Sequence, residues 1–334
     1  MTTYAYLGPE GTFTQMALAA WAPSQGATHR PCGSVDQALA LLRSGEVDGA
    51  MVPIENSVEG GVSATLDALA SGDPLVVTAE VLVPITFVLA ARPGTALSDV
   101  RAVGTHSHAW AQVRGWMGEH LPDAAYVPTL STASAAEGLA LHGDPSGDPD
   151  ARDGGPGSGG GRGPTAGERP AYDAAVCAPV AASNHGLEVL AEGIGDNAAA
   201  VTRFVMVARP GQLPERTGAD KTTLVLFQRD DHAGGLLELL EQFAVRGINM
   251  SRLESRPTKA SMGSYCFSID IEGHVLDERV GEALLGLKRV CAEVRFLGSY
   301  PAAHGAAVQV SPTTTDEAFG SARAWLRALR TGDA

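Results

Sequence analysis

The feature that most constrains the fold is a regular alternation of strand and helix patterns along the first 140 residues. TYAYL (3–7) has the composition of a strand, and apolar side chains then repeat at i, i+3, i+4 and i+7 from Phe13, which predicts a helix starting near Thr12. A capping box, SVDQ at 34–37, opens a second helix that Gly45 ends. This order predicts an α/β fold with largely parallel sheets.

The alternation continues to residue 142. A buried strand at 47–54 ends abruptly in polar residues, and ligands in open α/β sheets bind beyond the carboxyl ends of strands. The further elements predicted here are a helix at 63–69, a pair of strands within 75–90, and helices near 108–120 and 131–142.

A Gly- and Pro-rich segment, 143–170, interrupts this alternation. It carries ten Gly and five Pro in 28 residues, from which no core can be built, so a disordered surface insert is predicted. Its Gly-x-Gly-x-x-Gly match, starting at Gly155, is dismissed because a dinucleotide-binding fingerprint must join a strand to a helix. A strand at 172–178 resumes the alternation, which indicates that the segment interrupts a domain and does not end one.

The chain changes pattern after a Pro- and Gly-containing linker at 210–218, and a domain boundary is predicted near residue 215. Strands at 224–228, 249–255, 265–272 and 294–300 alternate with two amphipathic helices, around 236–243 and 280–287. The resulting βαββαβ order predicts a ferredoxin-like domain with one exposed sheet face. Residues 301–334 are predicted to form a tail with a short basic helix, AWLRALR.

Composition excludes several classes of protein. Lys and Arg total 24 against 38 Asp and Glu, and a net charge of −14 opposes binding to nucleic acid or an anionic membrane. The longest apolar run, 81–91, is shorter than the roughly 20 residues of a membrane span, and no secretory signal opens the chain. The four cysteines lack Cys-x-x-Cys spacing, so neither a zinc site nor a disulfide framework is indicated. We expect a cytoplasmic protein that needs no metal or cofactor.

Four spaced motifs carry a resemblance to a known family. YLGPEGTFT (6–14), PIENSVEG (53–60) and TRF (202–204) resemble the signature stretches of prephenate dehydratases, and ESRP (254–257) resembles the effector motif of their ACT regulatory domain. The resemblance covers residues 4–300 apart from the Gly-rich segment. It implies conversion of prephenate to phenylpyruvate, water and carbon dioxide, with feedback inhibition by L-phenylalanine.

The resemblance also implies an architecture. A two-lobed catalytic domain like a type 2 periplasmic binding protein is expected at 1–212, with a cleft between lobe A (about 1–78 and 186–212) and lobe B (about 79–185). An ACT domain is expected at 219–300, followed by the tail at 301–334. ACT domains of the family pair, so a homo-oligomer, a dimer or a tetramer, is expected. Because the first motif stands at the start of the sequence, a monofunctional enzyme without a fused chorismate mutase domain is expected.

The catalytic residues implied by the resemblance are those of the TRF motif. Loss of a carboxylate together with the ring hydroxyl makes the prephenate ring aromatic, so the enzyme has to assist the departing hydroxyl and hold the remaining carboxylate. Thr202 takes the place of the family's essential threonine and is assigned to the leaving hydroxyl, as hydrogen-bond donor or general acid. Arg203 is either a cation for a carboxylate or a structural ion-pair partner. Phe204 packs against the substrate ring or belongs to the core.

Further residues are expected to bind the substrate. Polar side chains follow the strand at 47–54, where amide and hydroxyl donors can meet an anion, although the same residues can simply cap the next helix. Others stand at the starts of predicted helices, whose N-termini receive carboxylates. His106 and His108 are interpreted as a helix-start feature and not as a metal site. The expected substrate-binding residues are Gly11, Thr12, Glu55, Asn56, Ser57, Thr105, His106, Ser131 and Thr132.

The effector site is expected on the regulatory domain, at Gly235, Leu236, Asn249, Met250, Glu254, Ser255, Arg256 and Pro257. Two departures from the family pattern stand out. Ala199 and Ala200 occupy the places of an Asn that usually precedes TRF, with only Asn197 nearby, and Gly234-Gly235-Leu236 replaces the usual Gly-Ala-Leu. The alternatives to a prephenate dehydratase are an arogenate dehydratase and a non-catalytic amino-acid sensor.

Overall fold

The computed structural model describes residues 1–141, 171–230, 232–258 and 265–332. The strands are β1 (Thr3–Leu7), β2 (Thr28–Cys32), β3 (Gly49–Asn56), β4 (Gly60–Gly61), β5 (Val76–Pro84), β6 (Val88–Ala91), β7 (Ala102–Thr105), β8 (Ala125–Pro128), β9 (Ala174–Cys177), β10 (Glu188–Ala191), β11 (Val201–Ala208), β12 (Asp220–Phe227), β13 (Met250–Pro257), β14 (Tyr265–Glu272) and β15 (Glu293–Pro301). The α-helices are α1 (Phe13–Ala20), α2 (Val35–Ser44), α3 (Ser63–Ala70), α4 (Ser107–Ala111), α5 (Arg114–His120), α6 (Thr132–Leu141), α7 (Pro179–Asn184), α8 (Gly235–Ala244), α9 (Glu278–Val290) and α10 (Asp316–Thr331).

These elements form two compact units. The first unit comprises Met1–Leu7, Ala20–Leu82 and Thr202–Ala334, and the second comprises Gly8–Ala19 and Val83–Val201. We call the sheet of β12–β15 the regulatory sheet and the sheet of β1–β5 and β11 the first catalytic sheet, and both belong to the first unit. The division also differs from the expected lobes at 8–19 and at 186–201, which lie in the second unit. At the second place, β10 pairs with β6 in the sheet of that unit.

The first unit contains a sheet in the order β2-β1-β3-β11-β5, with β4 paired to β3. Helices α2 and α3 cover it, burying Leu39, Leu42 and Leu69 in the core. The predicted cap of α2 is confirmed: Ser34 Oγ accepts a hydrogen bond from Gln37 N at 3.1 Å, and the helix ends at a left-handed glycine.

The sheet of the second unit has the order β10-β6-β9-β7-β8. Elements on both sides of the Gly-rich segment belong to it, and Tyr172 Oη donates to Ala135 O in α6 at 3.0 Å. Residues 143–170 themselves, and with them the predicted disordered insert, lie outside the described residues.

Both catalytic sheets are mixed, so the expectation of largely parallel sheets was wrong. β1 runs parallel to β2 and β3, and β7 runs parallel to β8 and β9. In contrast, β11 is antiparallel to β3, and β6 is antiparallel to β9 and β10. A parallel pair requires a crossover connection, usually a helix, whereas β6 and β11 enter their sheets where the chain passes from one unit to the other.

The predicted βαββαβ domain is confirmed as an antiparallel sheet in the order β13-β14-β12-β15, with α8 and α9 packed on one face. Its opposite face was predicted to be exposed, and this prediction was wrong. Val225, Leu297 and Tyr300 on that face belong to the same apolar cluster as Leu39 and Val77 of the first catalytic sheet.

A close backbone approach fixes this packing. Gly298 has φ 122°, and a Cβ there would collide with the backbone of Val77 in β5. Both the conformation and the contact require glycine at this position. The regulatory sheet is thus built into the first unit and shares its core.

The C-terminal segment contains a longer helix than the predicted AWLRALR. Helix α10 has 16 residues and begins after Thr315, whose Oγ1 accepts a hydrogen bond from Ala318 N at 3.2 Å. Arg323 joins it to α9 through ion pairs with Glu278 and Glu282. No helix within the described part of the chain is long and apolar enough to span a membrane.

Candidate functional site

The centre of the candidate site in the first unit is a pair of polar side chains on neighbouring strands. Thr202 in β11 lies directly opposite Asn56 in β3, and Asn56 Nδ2 donates a hydrogen bond to Thr202 Oγ1 at 2.9 Å. Thr202 is only 6% exposed. The structure therefore joins two of the predicted residues that lie 146 positions apart in the sequence.

The orientation of the Asn56 amide is determined by its other partners. Its Oδ1 accepts from the backbone N–H of Val58 at 2.8 Å and of Glu59 at 3.4 Å, and a backbone N–H can only donate. Nδ2 must therefore face Thr202. Because the Thr202 oxygen accepts this bond, its own hydroxyl hydrogen can be donated to another group. The pair is arranged to present a hydrogen-bond donor.

The neighbours of Asn56 in β3 have different surroundings. Glu55 is opposite Arg203 in the strand register, and its Oε2 lies 3.4 Å from Arg203 Nε. Ser57 follows the strand and is exposed. Glu55 is therefore part of an ion-pair cluster and is not grouped with the donor pair.

The Arg203 guanidinium is surrounded by carboxylates. It is 5% exposed, and it binds Glu80 through Nη1 at 3.2 Å and Asp270 through Nη2, in addition to its approach to Glu55. Burial alone would lower the pKa of Arg203, but Asp270 and Glu80 raise it above its usual value. With these partners, the guanidinium fits the structural ion-pair role of the two that the sequence left open.

The adjacent Phe204 is also inward-facing. It is 2% exposed, so its ring belongs to the core of the first unit. Of the two roles considered for Phe204, the observed burial fits core packing. The TRF motif thus divides into one donor, one ion-pair residue and one core residue.

Asp270 in β14 lies at the centre of the ion-pair cluster and is completely buried. Arg252 donates to it from Nε at 2.9 Å and from Nη2 at 3.1 Å, and Thr223 Oγ1 donates at 2.8 Å. Burial would raise the pKa of Asp270, but the charges of Arg203 and Arg252 hold it well below its usual range. A buried carboxylate with this many donors remains ionised.

Sequence reasoning missed Glu80, Lys221, Arg252 and Asp270. Lys221 Nζ binds Glu80 at 2.9 and 3.1 Å, which completes the cluster. In β14, Ser268 and Asp270 alternate with apolar residues, a pattern typical of a strand with one exposed face, yet both are buried. No local signal distinguishes a polar strand face that meets water from one that meets a second set of charges.

In the second unit, the predicted residues Gly11 and Thr12 precede α1. Thr12 Oγ1 accepts from Gln15 N at 3.3 Å, and Gly11 N donates to Gln15 Oε1 at 2.6 Å. Gly11 has φ +81°, and a Cβ there would stand 3.0 Å from Ala181 in α7 and 3.7 Å from Ala133 in α6. The start of α1 is therefore packed closely against α6 and α7, which only a glycine permits.

Three other predicted residues of the second unit form hydrogen bonds with backbone groups. Thr105 is buried and donates to Val176 O at 2.8 Å, and His106 Nδ1 accepts from His108 N at 3.3 Å. Ser131 Oγ accepts from Ser134 N at 2.9 Å and so caps α6, whose first residue is Thr132. His106, Ser131 and Thr12 all stand at helix starts, as predicted.

The segment before the TRF motif, in which alanines take the place of the family's usual Asn, forms a turn and a buried backbone contact. Asn197 is exposed, and its Oδ1 accepts from Ala199 N at 3.0 Å, forming a local turn. Ala200 is buried, and its carbonyl accepts from Ile85 N at 2.8 Å. The amide that contacts Thr202 is that of Asn56, and not one from the segment preceding the motif.

The predicted effector residues separate into two groups. Gly235, Leu236 and Ser255 line a pocket of about 260 Å³ whose other walls include Tyr265 and Phe267. Asn249 instead donates to Glu272 at 2.8 Å, and Met250 packs on the core of the regulatory sheet.

Glu254 and Arg256 of the ESRP motif face away from this pocket. Arg256 binds Asp67 in α3 at 2.9 Å and Ser63 at 2.9 Å, and the Glu254 carboxylate lies against Gly61. Pro257 ends β13, paired with Tyr265. Alternation along a strand explains this division, since successive side chains point to opposite faces.

Comparisons with known proteins identify the family to which the chain is similar. The prephenate dehydratase family model matches residues 4–212. A prephenate dehydratase from Mycolicibacterium vanbaalenii is 42% identical over 345 residues, which cover 99% of each chain. A crystal structure of prephenate dehydratase from Arthrobacter aurescens in complex with L-Phe is 52% identical, covers 99% of this chain and 100% of that one, and has a TM-score of 0.87.

A more distant solved structure, described as GqqA, a novel type of quorum quenching acylase, is 30% identical over 90% of this chain and 98% of that one, with a TM-score of 0.73. The family model and the full-length relatives nevertheless agree with the predicted motifs. The chain belongs to the prephenate dehydratase family.

Proposed function

We propose that this protein is a prephenate dehydratase, which converts prephenate to phenylpyruvate, water and carbon dioxide and is inhibited by L-phenylalanine. The observation that carries the assignment is the buried Thr202–Asn56 pair, which presents a hydroxyl donor at the position of the family's TRF motif. Relatives of 42 and 52% identity over the whole chain carry the same name. The relative described as an acylase is less similar, at 30% identity.

The chemistry that the pair has to perform is limited. The bond from the ring to its carboxylate breaks, and its electron pair completes the aromatic ring as carbon dioxide departs. The bond from the ring to the hydroxyl breaks at the other end of the ring, and the oxygen leaves as water after taking up one proton, which in the net reaction comes from solvent. Thr202 donates a hydrogen bond to this oxygen, which stabilises the negative charge that develops there.

Asn56 prepares Thr202 for this role. By donating to Oγ1 it fixes the hydroxyl rotamer and polarises the O–H bond, so the donor is in place before the reaction begins. In the second unit, the capped starts of α1 and α6 offer backbone N–H groups and hydroxyls of the kind that bind a carboxylate. We assign those residues of the second unit to binding of a carboxylate.

The assignment is tested by turnover of prephenate by the purified full-length protein and by its Thr202→Ala and Thr202→Ser variants, with arogenate as a parallel substrate. Loss of one donor to a developing oxyanion lowers kcat about 100-fold or more, so this loss is expected for Thr202→Ala, with recovery in Thr202→Ser. Undiminished turnover by a folded Thr202→Ala variant would contradict the role of Thr202. If the parent turned over arogenate faster than prephenate, arogenate would be the substrate to assign.

A non-catalytic amino-acid sensor is the second candidate, supported by the pocket on the regulatory sheet. A sensor binds L-phenylalanine without converting prephenate. Calorimetric titration with L-phenylalanine, beside the turnover assay, separates the two: binding without any turnover by the parent favours the sensor. Inhibition of measurable turnover favours the regulated enzyme.

We also propose a cytoplasmic homo-oligomer assembled through the regulatory sheets. Large apolar side chains of this part, including Leu237, Val245 and Tyr265, are exposed in the single chain, as is common at interfaces. The four cysteines are free and buried, which suits a reducing compartment. Sedimentation equilibrium tests the assembly, since a monomer at all concentrations would contradict it.

A further inference from the structure

We propose that Asp270, a residue of the regulatory sheet, is a positioning residue for the dehydration: through Arg203 it fixes the Thr202–Asn56 pair. The proposal rests on the proposed function. It assigns a catalytic contribution to a strand outside the segment that the family model matches, residues 4–212.

The first step is the rigidity of Asp270 itself. Both carboxylate oxygens are occupied: Oδ2 accepts from Arg203 and from Arg252 Nε, and Oδ1 accepts from Arg252 Nη2 and from Thr223 Oγ1. Tyr300 Oη in turn lies 2.6 Å from Thr223 Oγ1. A fully buried carboxylate with four donors has one available orientation. The Arg203 guanidinium that binds to it is therefore fixed as well.

The second step is the dependence of Arg203 on this fixed point. The pairing of β11 with β3 shifts register between Arg203 and Phe204, so a bulge separates the Thr202–Asn56 and Arg203–Glu55 pairs from the regular ladder of Phe204–Val207. Within the described part of the chain, only these two pairs join β11 to β3 beyond the bulge, and the Arg203 side chain adds further contacts. Arg203 is bound to Glu80 on one side and to Asp270 on the other.

The third step connects Arg203 to the reacting donor. Arg203 follows Thr202 directly in β11, and its Nε forms an ion pair at 3.4 Å with Glu55, the residue that directly precedes Asn56 in β3. One guanidinium therefore fixes the backbone next to both members of the donor pair. A donor displaced by a fraction of an ångström from its place in the transition state loses much of its effect.

The strand β12 provides a matched pair of variants. Thr222 and Thr223 are neighbours of identical chemistry and are both fully buried. Thr223 donates to Asp270, whereas Thr222 donates to Gly273 O at 2.8 Å and contacts Ser299 on the opposite face. Thr223→Val removes a support of Asp270, and Thr222→Val removes an equivalent hydrogen bond elsewhere.

The experiment compares prephenate turnover of the full-length parent with Asp270→Asn, Thr223→Val, Thr223→Ser and Thr222→Val, with folding checked by thermal unfolding. We expect kcat to fall about 10- to 100-fold in Asp270→Asn and Thr223→Val, with little change in KM. A misplaced donor reduces the stabilisation of the transition state more than it weakens binding of the substrate. Thr223→Ser restores the hydroxyl and kcat. Thr222→Val keeps kcat within about twofold of the parent despite a comparable loss of thermal stability.

Two results would overturn the proposal. One is an equal loss of kcat in Thr222→Val and Thr223→Val, which would indicate general destabilisation. The other is an unchanged kcat in a folded Thr223→Val variant. If Asp270→Asn does not fold, the two threonines decide the outcome.

Amide hydrogen exchange separates failure of this proposal from failure of the proposed function. Exchange in the peptides that contain 55–58 and 201–204 should be faster in Thr223→Val than in Thr222→Val, whatever reaction the protein catalyses. If the parent does not turn over prephenate, the proposed function fails while the exchange comparison still tests the positioning. Equal exchange in the two variants rejects the positioning by Asp270.

Discussion

At the scale of single residues, the TRF motif assigns three neighbours to three environments. Thr202 meets Asn56, Arg203 meets carboxylates from three strands, and Phe204 is buried in the core. A cation beside a catalytic residue suggests recognition of a substrate carboxylate, but this one already has protein partners. Its contribution is to hold the strand.

The Asn56 amide yields a prediction at this scale. Asn56→Asp keeps the acceptor for Val58 and Glu59 but replaces the donor to Thr202 by an acceptor, which attracts the threonine proton away from the substrate. We expect kcat to fall about 100-fold, measured as phenylpyruvate formation. Asn197→Asp, at an exposed turn of similar local geometry, is the control and should stay within about twofold of the parent. Equal losses would indicate that Asn197 contacts the substrate.

Asp270 gives a pH dependence. The pKa of an aspartate in an unfolded chain is about 4, and Arg203 and Arg252 hold that of Asp270 well below its usual range. As the pH falls below about 4, the unfolded chain binds a proton at position 270 before the native protein does, so the stability present above that pH is progressively lost.

We therefore expect the free energy of unfolding of the parent to fall more steeply between about pH 4 and 2 than that of Asp270→Asn, which lacks this titration. Urea unfolding at a series of pH values measures both slopes. Parallel slopes in the parent and the variant would show that the carboxylate titrates at its ordinary pKa.

At the scale of elements, β13 shows how one strand serves two purposes. Ser255 faces the pocket beside Gly235, whereas Glu254 and Arg256 face β4 and α3 of the first catalytic sheet. The effector motif therefore forms a wall of the pocket through Ser255, and through Glu254 and Arg256 it contacts β4 and α3, the elements that follow Asn56 in the chain.

The two faces of β13 should respond differently to mutation. Ser255→Val removes a hydroxyl from the pocket, and loss of a hydrogen bond to a charged ligand corresponds to about a tenfold or greater rise in the L-phenylalanine concentration for half-inhibition. Arg256→Gln breaks a partly exposed ion pair with Asp67, which costs about 1 kcal/mol or less, and it should change that concentration by about twofold or less. Inhibition curves measured on prephenate turnover test both. A larger effect of Arg256→Gln would place the ligand on the other face.

At the scale of the whole molecule, the regulatory sheet and the first catalytic sheet share a core. Val225, Leu297 and Tyr300 are buried in one cluster with Leu39 and Val77, and the Asp270 ion cluster crosses the same boundary. The regulatory sheet therefore also stabilises the first unit through the face that it buries.

Removal of the regulatory domain should then have two effects. A chain ending at residue 214 is expected to lose L-phenylalanine inhibition and to unfold at a lower temperature than the full chain, because Arg203 and Glu80 lose buried partners and apolar surface becomes exposed. Circular dichroism and turnover assays with and without L-phenylalanine measure both effects.

A chain ending at residue 310 is the control. It lacks only the segment with α10, which is attached to α9 by exposed ion pairs, and it should keep both stability and inhibition. If the chain ending at residue 214 unfolded at the same temperature as the full chain, this result would contradict the shared core.

Local patterns in the sequence determined most elements, the βαββαβ order and the motifs of the site. Strand alternation, helix periodicity and caps such as Ser34 depend on neighbours within a few positions, so they can be interpreted without a fold. The sequence also placed Thr12 and Ser131 at helix starts, where the structure has them.

Only the tertiary structure decided what these residues meet. Asn56 reaches Thr202 across 146 positions, and Arg203 reaches Asp270 across 67. The polar face of β14 looks like a solvated face in the sequence, yet it is buried because another sheet supplies matching charges. A side chain's pattern determines which way it points along its own strand, but burial and partners depend on surfaces brought together by folding, and no local spacing encodes them.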